Sequence, residues 1–214
     1  MKKVLFVCTG NTCRSPLAET IFEHTKTSEE LEAKSAGLYA MEGAPMSEGS
    51  RSVLANKGIL ESHSAQTVTK ELLEWADVVL TMTEGHKRAV IEQFPEQSLN
   101  VFTLKEFVYD DAETLEKLEQ IKEQIAELEL KRASLLADNQ GRIDNISKQK
   151  ELEQELYDQL LPYQQNIERL MAELPSFDIP DPYGGNIQIY EETLKEIEEA
   201  ITMLLNKINR DFSS

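Results

Sequence analysis

Short apolar runs alternate with amphipathic stretches of helical length along the first half of the chain. Buried strands of a parallel sheet read as such runs, and helices repeat apolar positions every three or four residues. Four segments are predicted as strands: Lys3–Val7, Ala33–Ala36, Asp77–Met82 and Asn100–Leu104. Three are predicted as helices: one from Ser15 through Phe22, Pro45–Asn56 and Glu84–Gln93. This alternation predicts an α/β fold, a parallel sheet with helices on both faces.

The pattern changes at about Asp110, where a long stretch rich in Glu, Gln, Lys and Leu begins. Turn residues interrupt it at Ala137–Arg142, and a second periodic arm then runs from Ile143 to Leu174. In the first arm the apolar residues follow a heptad spacing: Leu118, Ile121, Ile125, Leu128 and Leu135. We therefore expect an antiparallel helical hairpin of coiled-coil type.

The length of the first arm and a proline in the second arm add detail to the predicted hairpin. Its first arm, Thr114–Leu136, would span roughly 35 Å at about 1.5 Å per residue. Pro162 lies inside the second arm and should kink or break it, because proline lacks the amide hydrogen and clashes with the preceding turn.

A loop rich in proline and glycine follows at Pro175–Asn186, and a last amphipathic helix is predicted from about Gln188 to Asn209. The predicted globular domain is therefore discontinuous, formed by residues 1–110 and 175–214. Residues 111–174 form the inserted hairpin.

The composition of the chain disfavours several classes of binding partner. The chain of 214 residues has 39 acidic and 22 basic residues and a net charge of −17, which disfavours nucleic acid and anionic membranes as partners. No segment is long and apolar enough for a membrane span. The three histidines, His24, His63 and His86, lack metal-ligand spacing. Two closely spaced cysteines fit reduced thiols, so a cytoplasmic location is expected.

The segment "CTGNTCRS", Cys8 to Ser15, lies where a predicted strand ends and a helix begins. Ser15 and Pro16 fit an N-cap and the first helical position. Free backbone N–H groups and the helix dipole would make an anion-binding loop there, and Gly10 and Asn11 tolerate the positive φ angles of such a loop. Arg14 adds a planar fork that can hold two phosphate oxygens.

Cys8 would lie at the floor of this loop, where the same field favours its thiolate. A thiolate facing a phosphoryl group can attack phosphorus and form a phosphocysteine, which water then hydrolyses. An acid and a base are needed, and Asp181 is the best candidate because prolines on both sides stiffen its backbone. Without a matching nucleophile, Asp181 would be interpreted as a turn residue.

The second cysteine, Cys13, has two interpretations. It is either a small packing residue or the partner of Cys8 in a disulfide that would switch the site off reversibly.

At these residues the chain resembles the low-molecular-weight protein tyrosine phosphatase family. The matching segments are "VCTGNTCRSPLAE", "SAG" at Ser35–Gly37, "ADVVLTMT" at Ala76–Thr83 and "DPYGG" at Asp181–Gly185. The resemblance implies a flavodoxin-like, doubly wound, four-stranded parallel sheet and no metal or organic cofactor.

It also implies roles for single residues. Cys8 would be the nucleophile, Arg14 the phosphate ligand and Asp181 the general acid and then base. Ser15 and Asn11 would shape the loop, and Tyr183 would line the substrate pocket. The phosphate-binding residues would be Thr9, Gly10, Asn11, Thr12, Cys13, Arg14 and Ser15.

Within the family the chain is most similar to bacterial protein arginine phosphatases. These carry threonine at the position of Thr12, where tyrosine phosphatases usually carry an apolar residue, and Gly-Gly at the positions of Gly184 and Gly185. A hydroxyl tolerates the polar guanidino group of phosphoarginine better than an alkyl wall does. Proteins phosphorylated on arginine are therefore the leading substrate class.

Several alternatives remain open on sequence alone. A phosphotyrosine phosphatase is second, and a coiled-coil adaptor with a phosphate-binding core is third. A thiol-dependent arsenate reductase shares the loop but needs further cysteines, and none follows Cys13. The hairpin would either dock a protein partner or a second copy of the chain, or be a tolerated surface insertion.

Overall fold

The structure is a computed structural model that describes residues 1–109, 111–138 and 146–212. Contacts divide the chain into two units. The first unit combines Met1–Tyr109 with Phe177–Ser214, and the second is Asp110–Ser176.

Four strands form one sheet in the first unit: β1 (Lys3–Cys8), β2 (Glu32–Gly37), β3 (Val78–Thr81) and β4 (Val101–Thr103). Their order is β2-β1-β3-β4, and every neighbouring pair is parallel. The predicted four-stranded parallel sheet is confirmed. The chain passes from β1 to β2 on one side and then to β3 on the other side of β1. The connections on either side of this point run in opposite directions, so a crevice opens at the carboxyl end of β1. Open α/β sheets bind ligands in such a crevice.

The helices are α1 (Arg14–Thr25), α2 (Glu48–Asn56), α3 (Lys70–Trp75), α4 (Glu84–Gln93), α5 (Leu104–Val108), α6 (Ala112–Asp138), α7 (Ile146–Ala172) and α8 (Ile187–Phe212). A 3₁₀ helix covers Pro95–Asn100.

Alternate residues of β1 enter two different apolar cores. Val4, Phe6 and Cys8 pack with α1 and α8 on one face of the sheet. Leu5 and Val7 pack on the other face, beside α3 and α4. Helices therefore cover both faces, as the wholly apolar run predicts. Because β1 is fixed from both sides, the residue at its carboxyl end is held rigidly.

The start of α1 differs from the prediction. The helix begins at Arg14, its N-cap residue is Cys13, and Cys13 makes no side-chain capping bond. Ser15 is not the N-cap, because its hydroxyl turns inward and bonds within the loop. Pro16 still lies in the first helical turn, where the missing N–H has no intrahelical acceptor.

In the second unit α6 and α7 pack against each other, and four apolar side chains among those the structure describes are buried: Ile121, Leu135, Leu160 and Leu170. Lys117 Nζ lies 3.8 Å from Glu173 Oε2, and Asn166 Nδ2 donates to Gln124 Oε1 at 3.0 Å. Most of the predicted turn at Ala137–Arg142 lies outside the described residues.

Pro162 lies inside α7, and the helix continues on both sides of it. Pro162 therefore does not break this arm, and a kink at Pro162 stays a prediction. A proline removes one backbone hydrogen bond, and the helix keeps the remaining bonds and its packing against α6.

Within the described part of the chain, no helix combines the length and apolarity that a bilayer crossing needs.

Candidate active site

The loop from Cys8 to Ser15 joins the end of β1 to the start of α1. It surrounds a cavity of about 210 Å³. The lining residues are Cys8, Thr9, Gly10, Thr12, Cys13, Arg14, Asp181 and Tyr183. The structure therefore brings together residues that lie more than 160 positions apart and that the sequence singled out separately.

Cys8 lies at the bottom of this cavity. It is only 3% exposed, and its Sγ lies 3.0 Å from Ser15 Oγ. The Ser15 hydroxyl also lies 3.3 Å from the carbonyl oxygen of Ala36 and accepts a bond from Asn11 Nδ2 at 3.0 Å. Ser15 has one proton, so it can donate either to the carbonyl or to sulfur. A negative charge on sulfur would draw that proton towards Cys8.

Asn11 fixes the shape of the loop. Its φ of 53° lies in the left-handed region, whereas Gly10 does not have a positive φ. Its side chain donates to Ser15 and to Ser35 Oγ at 2.8 Å and accepts from the backbone of Gln66 at 2.9 Å. With all its polar atoms bonded and the side chain buried, Asn11 holds a conformation that other side chains rarely adopt.

Groups outside the loop hold Asn11 and its partner Ser35 in place. His63 Nε2 donates to the carbonyl oxygen of Asn11 at 2.7 Å, and burial lowers the pKa of this imidazole. Ser35 donates to a carboxylate oxygen of Glu19 at 2.5 Å. Burial raises the pKa of Glu19, and the bond from Ser35 opposes that shift.

Gly37 lets β2 approach the loop. A Cβ at this position would lie 2.8 Å from both the Asn11 nitrogen and the Thr9 carbonyl oxygen, which are backbone atoms. The "SAG" motif therefore has a steric reason: only glycine leaves room for the loop.

Arg14 and Asp181 form an ion pair at the mouth of the cavity. Arg14 Nη2 donates to Asp181 Oδ2 at 2.7 Å, and Nη1 donates to the carbonyl oxygen of Ile179 at 3.1 Å. The Arg14 side chain is 5% exposed and that of Asp181 is 50% exposed. Asp181 Oδ1 also accepts the backbone N–H of Tyr183 at 3.2 Å. The carboxylate is thus fixed while it stays open to solvent.

The segment before Asp181 is anchored to the carboxyl edge of the sheet. Ile179 donates its N–H to the Met82 carbonyl oxygen at 2.8 Å and is fully buried. Asp178 Oδ1 accepts the N–H of Glu84 at 2.8 Å, and Lys105 Nζ donates to the Asp178 carbonyl oxygen at 3.0 Å. Several bonds therefore set the position of Asp181.

Three further predicted residues, Thr12, Cys13 and Tyr183, also line the cavity. Tyr183 is 75% exposed at its edge. Thr12 Oγ1 lies 3.7 Å from Cys13 Sγ, which is also 3.9 Å from the Tyr190 hydroxyl. Both cysteines are free, buried thiols.

The sequence did not predict a role for His86, because a single histidine without metal-ligand spacing belongs to no motif. Its Nε2 lies 2.8 Å from Thr9 Oγ1, and its side chain is 8% exposed. Burial, with the nearby Arg14 charge, lowers the pKa of His86 to about 4, and Asp181 and Asp178 oppose this shift. The signal was its position just after the third predicted strand, at the same sheet edge as Cys8.

Comparison with known proteins shows the family to which this chain belongs. The model of the low molecular weight phosphotyrosine protein phosphatase family matches residues 3–140 and 117–214. A protein-arginine-phosphatase of Geobacillus stearothermophilus is 48% identical over 106 residues, which cover 50% of this chain and 71% of that protein. The low molecular weight protein-tyrosine-phosphatase PtpB of Staphylococcus epidermidis strain RP62A is 40% identical over 111 residues, which cover 52% and 77%.

Among solved structures, the YwlE arginine phosphatase from Geobacillus stearothermophilus matches with a TM-score of 0.65 and 30% identity. The match covers 99% of this chain and 95% of that one. The resemblance found in the sequence is thereby confirmed. The chain belongs to the low molecular weight phosphotyrosine protein phosphatase family and is a cysteine-dependent protein phosphatase.

Proposed function

We propose that the protein hydrolyses phosphoarginine on proteins, with Cys8 as nucleophile, Arg14 as phosphate ligand and Asp181 as general acid and base. One observation carries the proposal: these three side chains line the same cavity. A thiol below, a guanidinium at the side and a carboxyl at the mouth are the groups that phosphoryl transfer through a covalent intermediate needs.

In the first step the Cys8 thiolate attacks phosphorus, and an S–P bond forms as the P–N bond to the guanidino group breaks. The carboxyl group of Asp181 gives its proton to the leaving nitrogen, so that the arginine side chain leaves as a neutral guanidine and not as an anion. The backbone N–H groups of residues 9–15 and the Arg14 fork neutralise charge on the three equatorial oxygens.

In the second step water attacks the phosphocysteine. The Asp181 carboxylate takes a proton from that water, the S–P bond breaks, and inorganic phosphate and the Cys8 thiolate result. The Ser15 hydroxyl, 3.0 Å from sulfur, stabilises the leaving thiolate by donating a hydrogen bond to it.

The preference for phosphoarginine rests on the mouth of the cavity. Thr12 places a hydroxyl in the lining, where it suits a guanidino group. Gly184 has a φ of 78°, and a Cβ on Gly185 would lie 2.9 Å from Ile189 Cδ1. The positive φ favours glycine at position 184, and two relatives with the arginine activity in their names support the same substrate.

A second candidate is hydrolysis of phosphotyrosine. It is supported by the 40% identity to PtpB of Staphylococcus epidermidis, whose name gives a tyrosine phosphatase. The exposed ring of Tyr183 at the cavity edge can stack on a flat aryl group as readily as on a guanidinium.

The deciding experiment compares rates on phosphoarginine and phosphotyrosine peptides for the wild type and Thr12→Ile. We expect the wild type to favour phosphoarginine, and Thr12→Ile to lower that rate and raise the phosphotyrosine rate. A wild type that prefers phosphotyrosine, with no shift on substitution, selects the second candidate. Cys8→Ser should release no phosphate from either peptide or from p-nitrophenyl phosphate, whereas a wild type silent on all three supports a phosphate-binding adaptor.

For residues 111–174 we propose an antiparallel helical hairpin that forms a domain separate from the phosphatase domain of residues 1–110 and 175–214. The pairs Lys117–Glu173 and Gln124–Asn166 support it, because the partner number falls as the first number rises. Its proposed role is to dock a protein partner, a substrate or a second copy of the chain. Side chains left exposed on the two helices, such as Leu130 and Tyr157, are compatible with that role.

A further inference from the structure

A chain of hydrogen bonds runs from the start of α4 to the candidate loop. Thr83 caps α4 by accepting the His86 N–H at 3.1 Å, and its Oγ1 also lies 2.9 Å from His86 Nδ1. The other ring nitrogen, Nε2, lies 2.8 Å from Thr9 Oγ1. Thr9 lines the cavity above Cys8, and thus the ring connects a helix start with the cavity lining.

The available partners favour one direction for each hydrogen bond in this series. Thr83 Oγ1 already accepts a backbone N–H, and among the described residues its own proton has one acceptor, His86 Nδ1. If Nδ1 carried the proton instead, the Thr83 hydroxyl would accept twice and donate to nothing in the described chain. The arrangement that uses every group has Thr83 donating to Nδ1 and Nε2–H donating to Thr9 Oγ1.

This direction settles what Thr9 can offer to a ligand. Because Thr9 Oγ1 accepts from His86, its own proton is not used by the ring. Thr9 is exposed towards the cavity, so this proton is available to an acceptor there. Phosphoryl oxygens are acceptors, whereas the guanidino group of phosphoarginine carries mainly donors.

The charge state of the ring supports this arrangement. Burial and the Arg14 charge lower the pKa of His86 to about 4, so that the imidazole is neutral near pH 7. A neutral ring has one donor and one acceptor, whereas a protonated ring would force the Thr83 hydroxyl to turn away.

We propose that His86 is a positioning residue that aims the Thr9 hydroxyl proton at the phosphoryl group bound above Cys8. The inference rests on the proposed function, since it needs this cavity to hold a phosphoryl group. His86 acts through Thr9 and does not touch the substrate. The bond that matters forms between the Thr9 O–H and a phosphoryl oxygen, common to every substrate and to inorganic phosphate.

A double-mutant cycle tests the proposal, with His86→Leu, Thr9→Val and the double variant. We expect each single substitution to lower kcat/KM by about 10- to 150-fold, the loss typical of one hydrogen bond to a charged group. The double variant should be no worse than Thr9→Val alone, because His86 has no effect without the hydroxyl. Phosphoarginine peptide, p-nitrophenyl phosphate and the affinity for inorganic phosphate should all respond by the same factor.

Two further variants separate positioning from folding. His86→Gln keeps an N–H donor near Thr9 and should recover part of the activity lost in His86→Leu. His24→Leu, a histidine on α1 away from the cavity, should behave as the wild type. Thermal unfolding of each variant confirms that the fold is intact.

Each outcome has a defined meaning. Additive losses in the double variant, unchanged activity in His86→Leu, or a loss restricted to phosphoarginine peptide would each overturn the proposal. A wild type that turns over no substrate would refute the proposed function. In that case phosphate binding weakened equally by His86→Leu and Thr9→Val would still support the role of His86, and unaffected binding would overturn it.

Discussion

Asp181 is held at the cavity by an ion pair in which its Oδ2 lies 2.7 Å from Arg14 Nη2, and half of its side chain is exposed to solvent. We predict that Asp181→Asn lowers kcat on a phosphoarginine peptide by about 10²- to 10⁴-fold, because an amide neither protonates the leaving nitrogen nor accepts a proton from water. Steady-state kinetics measure this loss. A variant with unchanged kcat would remove Asp181 from the mechanism.

A single methyl group added at Gly37 is expected to displace the phosphate-binding loop. The added Cβ would meet two backbone atoms of the loop at 2.8 Å, which cannot move without displacing Asn11. We predict that Gly37→Ala lowers activity at least tenfold and costs about 1–3 kcal/mol of unfolding free energy. Gly85→Ala is the matched control, because its nearest contact would be an ordinary 3.6 Å. Denaturant melts and p-nitrophenyl phosphate assays of both variants make the comparison.

The buried imidazole of His86 predicts a pH dependence of stability. In the unfolded chain its pKa is about 6.5, and in the folded protein burial and Arg14 lower the pKa to about 4. Between these two pH values the unfolded chain binds more protons than the folded protein does. The contribution of the neutral His86 to the free energy of unfolding is therefore complete above about pH 6.5 and is lost as the pH falls towards 4.

Unfolding free energies of the wild type and His86→Gln, measured from pH 7 to pH 4, show this effect. The difference between them should shift in favour of His86→Gln as the pH falls, since glutamine does not titrate. A constant difference across that range would mean that His86 titrates alike in both states.

Among the elements, the segment carrying Asp181 depends on the start of α4, where Asp178 accepts the Glu84 N–H. We predict that Asp178→Ala lowers kcat severalfold and costs about 1 kcal/mol of stability, as lost caps do. Asp111→Ala removes a similar 2.8 Å bond at the start of α6 and is the control. Equal kcat losses in both variants would show that the effect is not specific to the Asp181 segment.

The elements also show how far sequence alone can predict this protein. The strands were found because β1 and β3 are apolar on both faces, and the loop was found because its chemistry is concentrated in eight consecutive residues. Helices α3 and α5 were missed, since six and five residues are too few for a helical period. The contacts of His63 and His86 depend on how distant segments meet, and local sequence does not encode that.

For the whole molecule, the prediction concerns the second unit. Tyr109 and Phe177, which flank it in sequence, have ring centroids 6.1 Å apart, so a short linker can join the two ends. We predict that replacing residues 112–174 by a Gly/Ser linker preserves turnover of p-nitrophenyl phosphate. The same replacement should lower turnover of a phosphorylated protein or change the oligomeric state, measured by light scattering. Identical values in all three assays would make the second unit a tolerated insertion.

The paired aromatic rings of Tyr109 and Phe177 also have an entropic consequence. Bringing them together closes a segment of chain, and its cost grows with the number of freely moving residues between them. When α6 and α7 are paired, as at Lys117 and Glu173, most of that segment is already ordered and does not move freely. Melting the two helices lengthens the free segment and costs the phosphatase unit about 2 kcal/mol. The stability of one unit is thereby linked to the other through chain connectivity alone.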